Sequence, residues 1–173
     1  DVLTITQASA NTYNEYTPSG QKTYSTWRFL SPDGGYCNVA ELEFWAGTTK
    51  LSGAAFGDGG GAWGGSANTF EKALDGNTQT FYDANNGSGG FVGLTAIACP
   101  ATDTSPTPPL SSTPPSGGGD SGTGPCALTK VRLYPRAGFA HRLVGGRVQG
   151  SNGQNGPWED VLTITQASAN TYN

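Results

Sequence analysis

The segment DVLTITQASANTYN fills positions 1–14 and returns, letter for letter, at positions 160–173. Fourteen identical positions do not arise by chance, and two diverged strands of one domain would not keep every residue. The echo sets a period of 159 residues, from Asp1 to Asp160. That period is the size of one compact unit. Whatever fold the chain adopts must therefore accommodate an identical element at each end of the unit.

Composition narrows the class. With 27 Gly, 11 Pro, 13% charged residues, one His and no Met, the chain reads as all-β with many turns. Alternation at period two marks the strands. In VLTIT, Leu3 and Ile5 share one face and Val2, Thr4 and Thr6 the other. TWRFL sets Trp27 and Phe29 against Arg28 and Leu30. VAELEFW sends Ala40, Leu42 and Phe44 one way and Glu41, Glu43 and Trp45 the other. FVGL (91–94), KVRLY (130–134) and RVQG (147–150) add three more strands, and glycine- and asparagine-rich turns separate them. Only ANTFEKALDG offers a helical turn or two. The expected architecture is a β-sandwich with two sheets packed face to face.

Partners are limited by charge and hydropathy. The net charge is −4 and the nine Lys and Arg are scattered, so no basic stripe is offered to nucleic acid. No apolar run reaches the eighteen or more residues of a membrane span. The start DVLTITQ lacks the features of a signal peptide; in a window cut from a longer array, that signal would lie upstream.

Cys99 and Cys126 bracket a segment, residues 100–125, that is rich in Pro, Ser, Thr and Gly and cannot bury a core. A disulfide between them would tie the base of that long loop, which points to an oxidising, extracellular setting, secreted or at the cell surface. Cys37 is left over, either as a buried small hydrophobe or as a bond to a neighbouring repeat. The 100–125 segment is either a passive surface insertion or a carrier of covalent glycans. Its acceptors would be Thr102, Thr104, Ser105, Thr107, Ser111, Ser112, Thr113 and Ser116, together with Pro106, Pro108, Pro109, Pro114 and Pro115 after hydroxylation. One sequon, Asn86-Gly87-Ser88, adds an N-linked candidate.

Five pieces, CNVAELEFW (37–45), KALDGNTQTFYDA (72–84), GGFVGL (89–94), KVRLYPRAGFAHRLVGGRVQGSN (130–152) and PWEDVLTIT (157–165), together resemble the discoidin domains of the coagulation factor five/eight C-terminal type. The resemblance implies a galactose-binding-like jelly-roll. It also implies an order in which the strands like TWRFL and AELEF come last, whereas here they come first. Residues 1–45 then read as the closing strands of one repeat, 46–159 as the opening part of the same kind of unit, and 160–173 as the first strand of the next. By the same resemblance, Asp75, Asn77, Thr80 and Glu41 would hold a structural calcium ion, hard oxygen donors being suited to it. An ordinary Asp-Gly turn beside a solvated or paired Glu41 is the plainer reading.

The stretch RLYPRAGFAHRLVGGR concentrates Arg132, Arg136, Arg142 and Arg147. These could serve a polysaccharide, with Arg142 and His141 on hydroxyls and Trp63, Tyr82 or Phe139 stacking on sugar faces, or they could tie loops to carbonyls and carboxylates. Catalysis is disfavoured: one histidine without a nucleophile elbow makes no triad, and three cysteines lack zinc spacing. Two functions remain. One is a structural subunit of an extracellular, glycosylated fibre whose partners are neighbouring copies of itself, head to tail. The other is a carbohydrate-binding module repeated for avidity.

Overall fold

The computed structural model describes residues 3–5, 12–18, 20, 22–97, 99 and 125–164, with backbone alone for 3–5. Thirteen strands are present among them: β1 (Leu3–Ile5), β2 (Asn14–Tyr16), β3 (Thr23–Tyr24), β4 (Thr26–Leu30), β5 (Asn38–Ala46), β6 (Thr49–Lys50), β7 (Gly53–Gly57), β8 (Tyr82–Asp83), β9 (Phe91–Ala96), β10 (Cys126–Ala127), β11 (Lys130–Pro135), β12 (Arg147–Ser151) and β13 (Glu159–Ile164). The first large sheet runs β1-β13-β12-β4-β9-β7 and the second β2-β11-β5-β6, with β8 also paired to β5. The β10 and β3 strands form a separate ribbon.

The fold is all-β and sandwich-like, and alternation explains why. Trp27 and Phe29 of β4, Val92 of β9 and Val148 of β12 point inward from the first sheet, each with no exposed surface. Leu42 of β5 and Val131 and Leu133 of β11 meet them from the second. Burying each such side chain is worth roughly 1.5–3 kcal/mol, so the interleaved row dominates the stability of the unit. Their strand neighbours Arg28 and Leu30 lie half-buried on the outer face, as alternation predicts. Gly93 of β9 sits where a Cβ would come within 2.5 Å of both the Phe56 ring and the Trp27 carbonyl oxygen. Only glycine lets that aromatic lie across the strand.

Three features differ from expectation. Glu41 and Glu43 belong to the outer face of β5, yet both are buried, because the 75–80 loop covers the first and cross-strand cations cover the second. ANTFEKALDG makes the expected turn, a 3₁₀ turn at Phe70–Ala73, and a second at Gly65–Asn68 runs into it, but a further 3₁₀ turn forms at Ala140–Leu143, where none was expected. The short β2, β3, β6, β7, β8 and β10 strands carried too little alternation to be anticipated.

Cys99 is bonded to Cys126, with Cα atoms 5.4 Å apart. Cys37 is free and has no exposed surface, which leaves it no route to a neighbour's thiol; burial, with Asp58 and Asp83 nearby, pushes that thiol well up.

Among the described residues, all strand pairs except one are antiparallel. The exception is β1 with β13, which run parallel with Leu3 opposite Leu162, Thr4 opposite Thr163 and Ile5 opposite Ile164. Each of these three residues of the first copy faces its own counterpart in the second.

Candidate functional site

The two copies of the echoed segment do not have equal positions. Residues 160–164 lie between β12 and β1. Thr163 stands opposite Arg147 and Leu162 opposite Val148, and after a bulge Asp160 stands opposite Gln149. The amide of Ile164 donates to the Gly146 carbonyl at 2.8 Å. Leu162 and Ile164 are fully buried and Val161 nearly so. Outer-face polar contacts pin the same strand: Gln149 Nε2 donates to Asp160 Oδ1 at 2.6 Å, and Arg147 lies 3.6 Å from Asp160 Oδ2. Residues 3–5 add one further strand outside this one and end the sheet.

The Asp75, Asn77, Thr80 and Glu41 set is brought together. Glu41 Oε1 accepts the amides of Gly76 at 2.7 Å and Asn77 at 3.0 Å, while Oε2 is buried with no hydrogen-bond partner. The Thr80 hydroxyl lies 2.9 Å from each oxygen of Asp75 and 2.8 Å from the Asn77 carbonyl. One hydroxyl proton cannot serve three acceptors, but Asp75 Oδ1 also takes the Asn77 amide at 3.0 Å and Oδ2 faces Lys72 Nζ at 3.5 Å, so the one oxygen of the set buried without a partner is Glu41 Oε2; the donors are all hard oxygens, the type calcium takes. Among the described residues no three His, Cys, Asp or Glu side chains converge in ligating positions; the set has two carboxylates. Burial pushes the Glu41 carboxyl up to about 7, amide bonds from Asn77 and Gly76 opposing. Burial also works to raise Asp75, but bonds from Thr80 and the Asn77 amide outweigh it and hold that carboxyl below its ordinary value.

A third region gathers part of the sugar-contact set. Trp63, Phe139 and Arg142 line a cavity of about 350 Å³ together with Tyr36, Asp83 and Arg136. Trp63 is 68% exposed and Tyr36 43%. Two guanidinium groups lie over the Phe139 ring, that of Arg136 at 4.5 Å and that of Arg142 at 4.4 Å from its centroid. Buried Asp83 takes Arg136 Nη1 at 2.6 Å and Asn38 Nδ2 at 2.5 Å; Arg142 Nη1 is 4.0 Å away. Tyr82 is not part of this surface: its ring is buried and its hydroxyl donates to Asp58 Oδ1 at 2.8 Å, so it cannot stack on a sugar. His141 is exposed on the Ala140–Leu143 turn, 6.2 Å from the Phe139 ring and outside the cavity lining.

The remaining arginines have structural partners. Arg132 bridges Glu15 at 2.7 Å and Glu43 at 2.9 Å, and its guanidinium lies over Tyr13. Tyr36 and Asp83, which complete the cavity, carry no local sequence signal; they meet the others only because β8 pairs with the start of β5.

Asn86 is exposed in the loop after β8. The other glycan acceptors, Thr102 to Ser116 with the intervening prolines, lie outside the described residues. No helix among the described residues is long and apolar enough to cross a membrane. Comparison with protein-family models, with curated proteins and with solved structures found no match.

Proposed function

We propose that this chain is a structural subunit of an extracellular fibre, built from head-to-tail β-sandwich units of discoidin-like, jelly-roll type. The observation that carries the reading is the place of residues 160–164. They are an interior strand of the first sheet with their apolar face in the core, yet the same sequence at 1–5 leads into β2. In an array of period 159, one segment is therefore both the strand that finishes one sandwich and the lead-in to the following one. A contact of that kind is heterologous and does not close on itself, so it propagates.

Secondary features fit this role. The disulfide between Cys99 and Cys126 suits an oxidising, extracellular location. Glycans on the 100–125 segment and on Asn86 would hydrate the fibre and keep neighbouring fibres apart. Calcium at Asp75, Asn77, Thr80 and Glu41 would be structural, fastening the 75–80 loop to β5.

Negative-stain microscopy of the purified protein tests the reading. Long filaments with a regular axial repeat are expected; flexible beads or solitary particles refute it. Intact mass before and after deglycosylation tests the decoration, and a bare polypeptide mass removes it.

A second reading, a carbohydrate-binding module repeated for avidity, is favoured by one observation, the cavity walled by exposed Trp63 and Tyr36 with Arg142 beside it. Binding on a glycan array that disappears with Trp63→Ala would support it.

A further inference from the structure

The slot beside β12 has one place and the chain carries two identical candidates for it. Occupation by residues 160–164 brings a ladder to β12, the Ile164 bond to Gly146 and a buried apolar face. Among the described residues, 3–5 obtain a single ladder, at the edge of the sheet. An edge strand of this kind presents unpaired backbone groups to any neighbour.

The geometry of the edge copy is already that of the slot. β1 runs parallel to β13 and in register with it, so it is antiparallel to β12, and partnered residues share a face of the sheet. Moving it into the slot requires a sideways displacement of one strand spacing, about 4.8 Å, with no slip of register and no exchange of faces. The floor of the slot does not depend on the occupant, since β12 is held from its other side by five pairs to β4. Every contact that Asp160 to Ile164 make is available, atom for atom, to Asp1 to Ile5 of any copy of the chain.

We infer that the groove beside β12 is a strand-exchange site whose partner is a second copy of this chain, residues 1–5 of one copy replacing residues 160–164 of another. The inference rests on the fibre reading and goes beyond it: units are joined by a transferable strand and not solely by peptide continuity. The recognition is self-recognition, carried by β-augmentation with side-chain pockets already cut to the sequence.

Disulfide trapping between two full-length chains tests this. Arg147 and Thr163 are cross-strand neighbours, so an Arg147→Cys, Thr163→Cys chain is the positive control for bonding across the slot. Thr4 in its edge position lies two strand spacings from Arg147, roughly 9–10 Å, beyond disulfide reach. A Thr4→Cys chain and an Arg147→Cys chain, each carrying one new thiol, are denatured, mixed and refolded together, and peptide mapping reads the bond between positions 4 and 147. The expected result is a mixed disulfide that is absent from either chain alone and a dominant product of the mixture. Fibres by microscopy without that disulfide overturn strand exchange and leave the fibre reading standing. The disulfide in particles that never lengthen has the opposite meaning, exchange without a fibre. Should either variant lose its fold by circular dichroism, Asp1→Cys with Gln149→Cys probes the same slot two pairs further along, at the counterpart of the Gln149–Asp160 pair.

Discussion

Glu41 Oε1 accepts the amide of Gly76 at 2.7 Å, joining a strand to a loop thirty-five positions away in sequence. The companion oxygen, Oε2, is buried and has no hydrogen-bond partner. A carboxyl in this position is most comfortable protonated or beside a cation.

That arrangement fixes the sign of a pH effect. Burial pushes the Glu41 carboxyl up from an ordinary 4.5 to about 7. Its folded value is raised, so its contribution is fully present below about pH 4.5 and is lost as pH rises through 7. The loss is on the order of 2–3 kcal/mol. Thermal melts should show the native chain falling in Tm between pH 5 and 8 relative to Glu41→Gln. Millimolar calcium should restore the native Tm at pH 8 and leave Glu41→Gln and Asp75→Asn unmoved; equal calcium responses in all three would remove the ion from this loop.

Arg136 and Arg142 should separate structure from binding. Arg136→Met leaves Asp83 buried without its close cation, which costs about 3–5 kcal/mol for a broken buried pair. Arg142, 4.0 Å from the same carboxylate, should cost under about 1 kcal/mol when changed to Ala. Urea midpoints measure both. If Arg142→Ala and Trp63→Ala also leave every glycan signal intact, the cavity is not a sugar site.

The disulfide spans 27 positions, and closing a loop of that length is worth about 3.5 kcal/mol in the chain-entropy picture. A Cys99→Ser, Cys126→Ser chain should lose that much by chemical denaturation. Cys37→Ala, which removes one buried sulfur and no cross-link, should lose about 1–2 kcal/mol. Equal losses in the two variants would show that the bond does not constrain the unfolded chain.

Gly93→Ala places a methyl against the Phe56 ring and the Trp27 carbonyl, and backbone cannot withdraw from it. A destabilisation of about 1–3 kcal/mol is expected from overpacking. Near-UV circular dichroism should register the altered aromatic contact between Phe56 and Trp158, whose rings stack at 6.1 Å.

Much of the sandwich was legible because β11 alternates residue by residue and β4 does so from Trp27 onward, and a period of two needs no knowledge of tertiary contacts; β9 and β12 were legible as short apolar or mixed runs between turns, although their burial does not alternate. β7, Gly53–Gly57, was not, since GAAFG has almost no alternation to read and is a strand only because β9 lies beside it. The burial of Glu41 was hidden for the same kind of reason: its cover comes from residues 75–80, far along the chain. Among the cavity residues, Trp63, Phe139 and Arg142 stood out as aromatics and cations near turns. Asp83 did not, because its importance lies in being buried between Asn38 and Arg136. The echo at positions 1–14 and 160–173 announced a shared element, but only the pairing of Leu3 with Leu162 revealed that both copies fit one direction and one register.

The bond between Cys99 and Cys126 also decides where the long polar excursion leaves the body. Its two roots sit 5.4 Å apart, one just past β9 and the other on the ribbon that β10 makes with β3. Roots that close give residues 100–125 a single point of attachment on the sandwich. In a filament of such units that attachment point would recur once per body, at a spacing dictated by the sandwich and not by the length of the segment it carries.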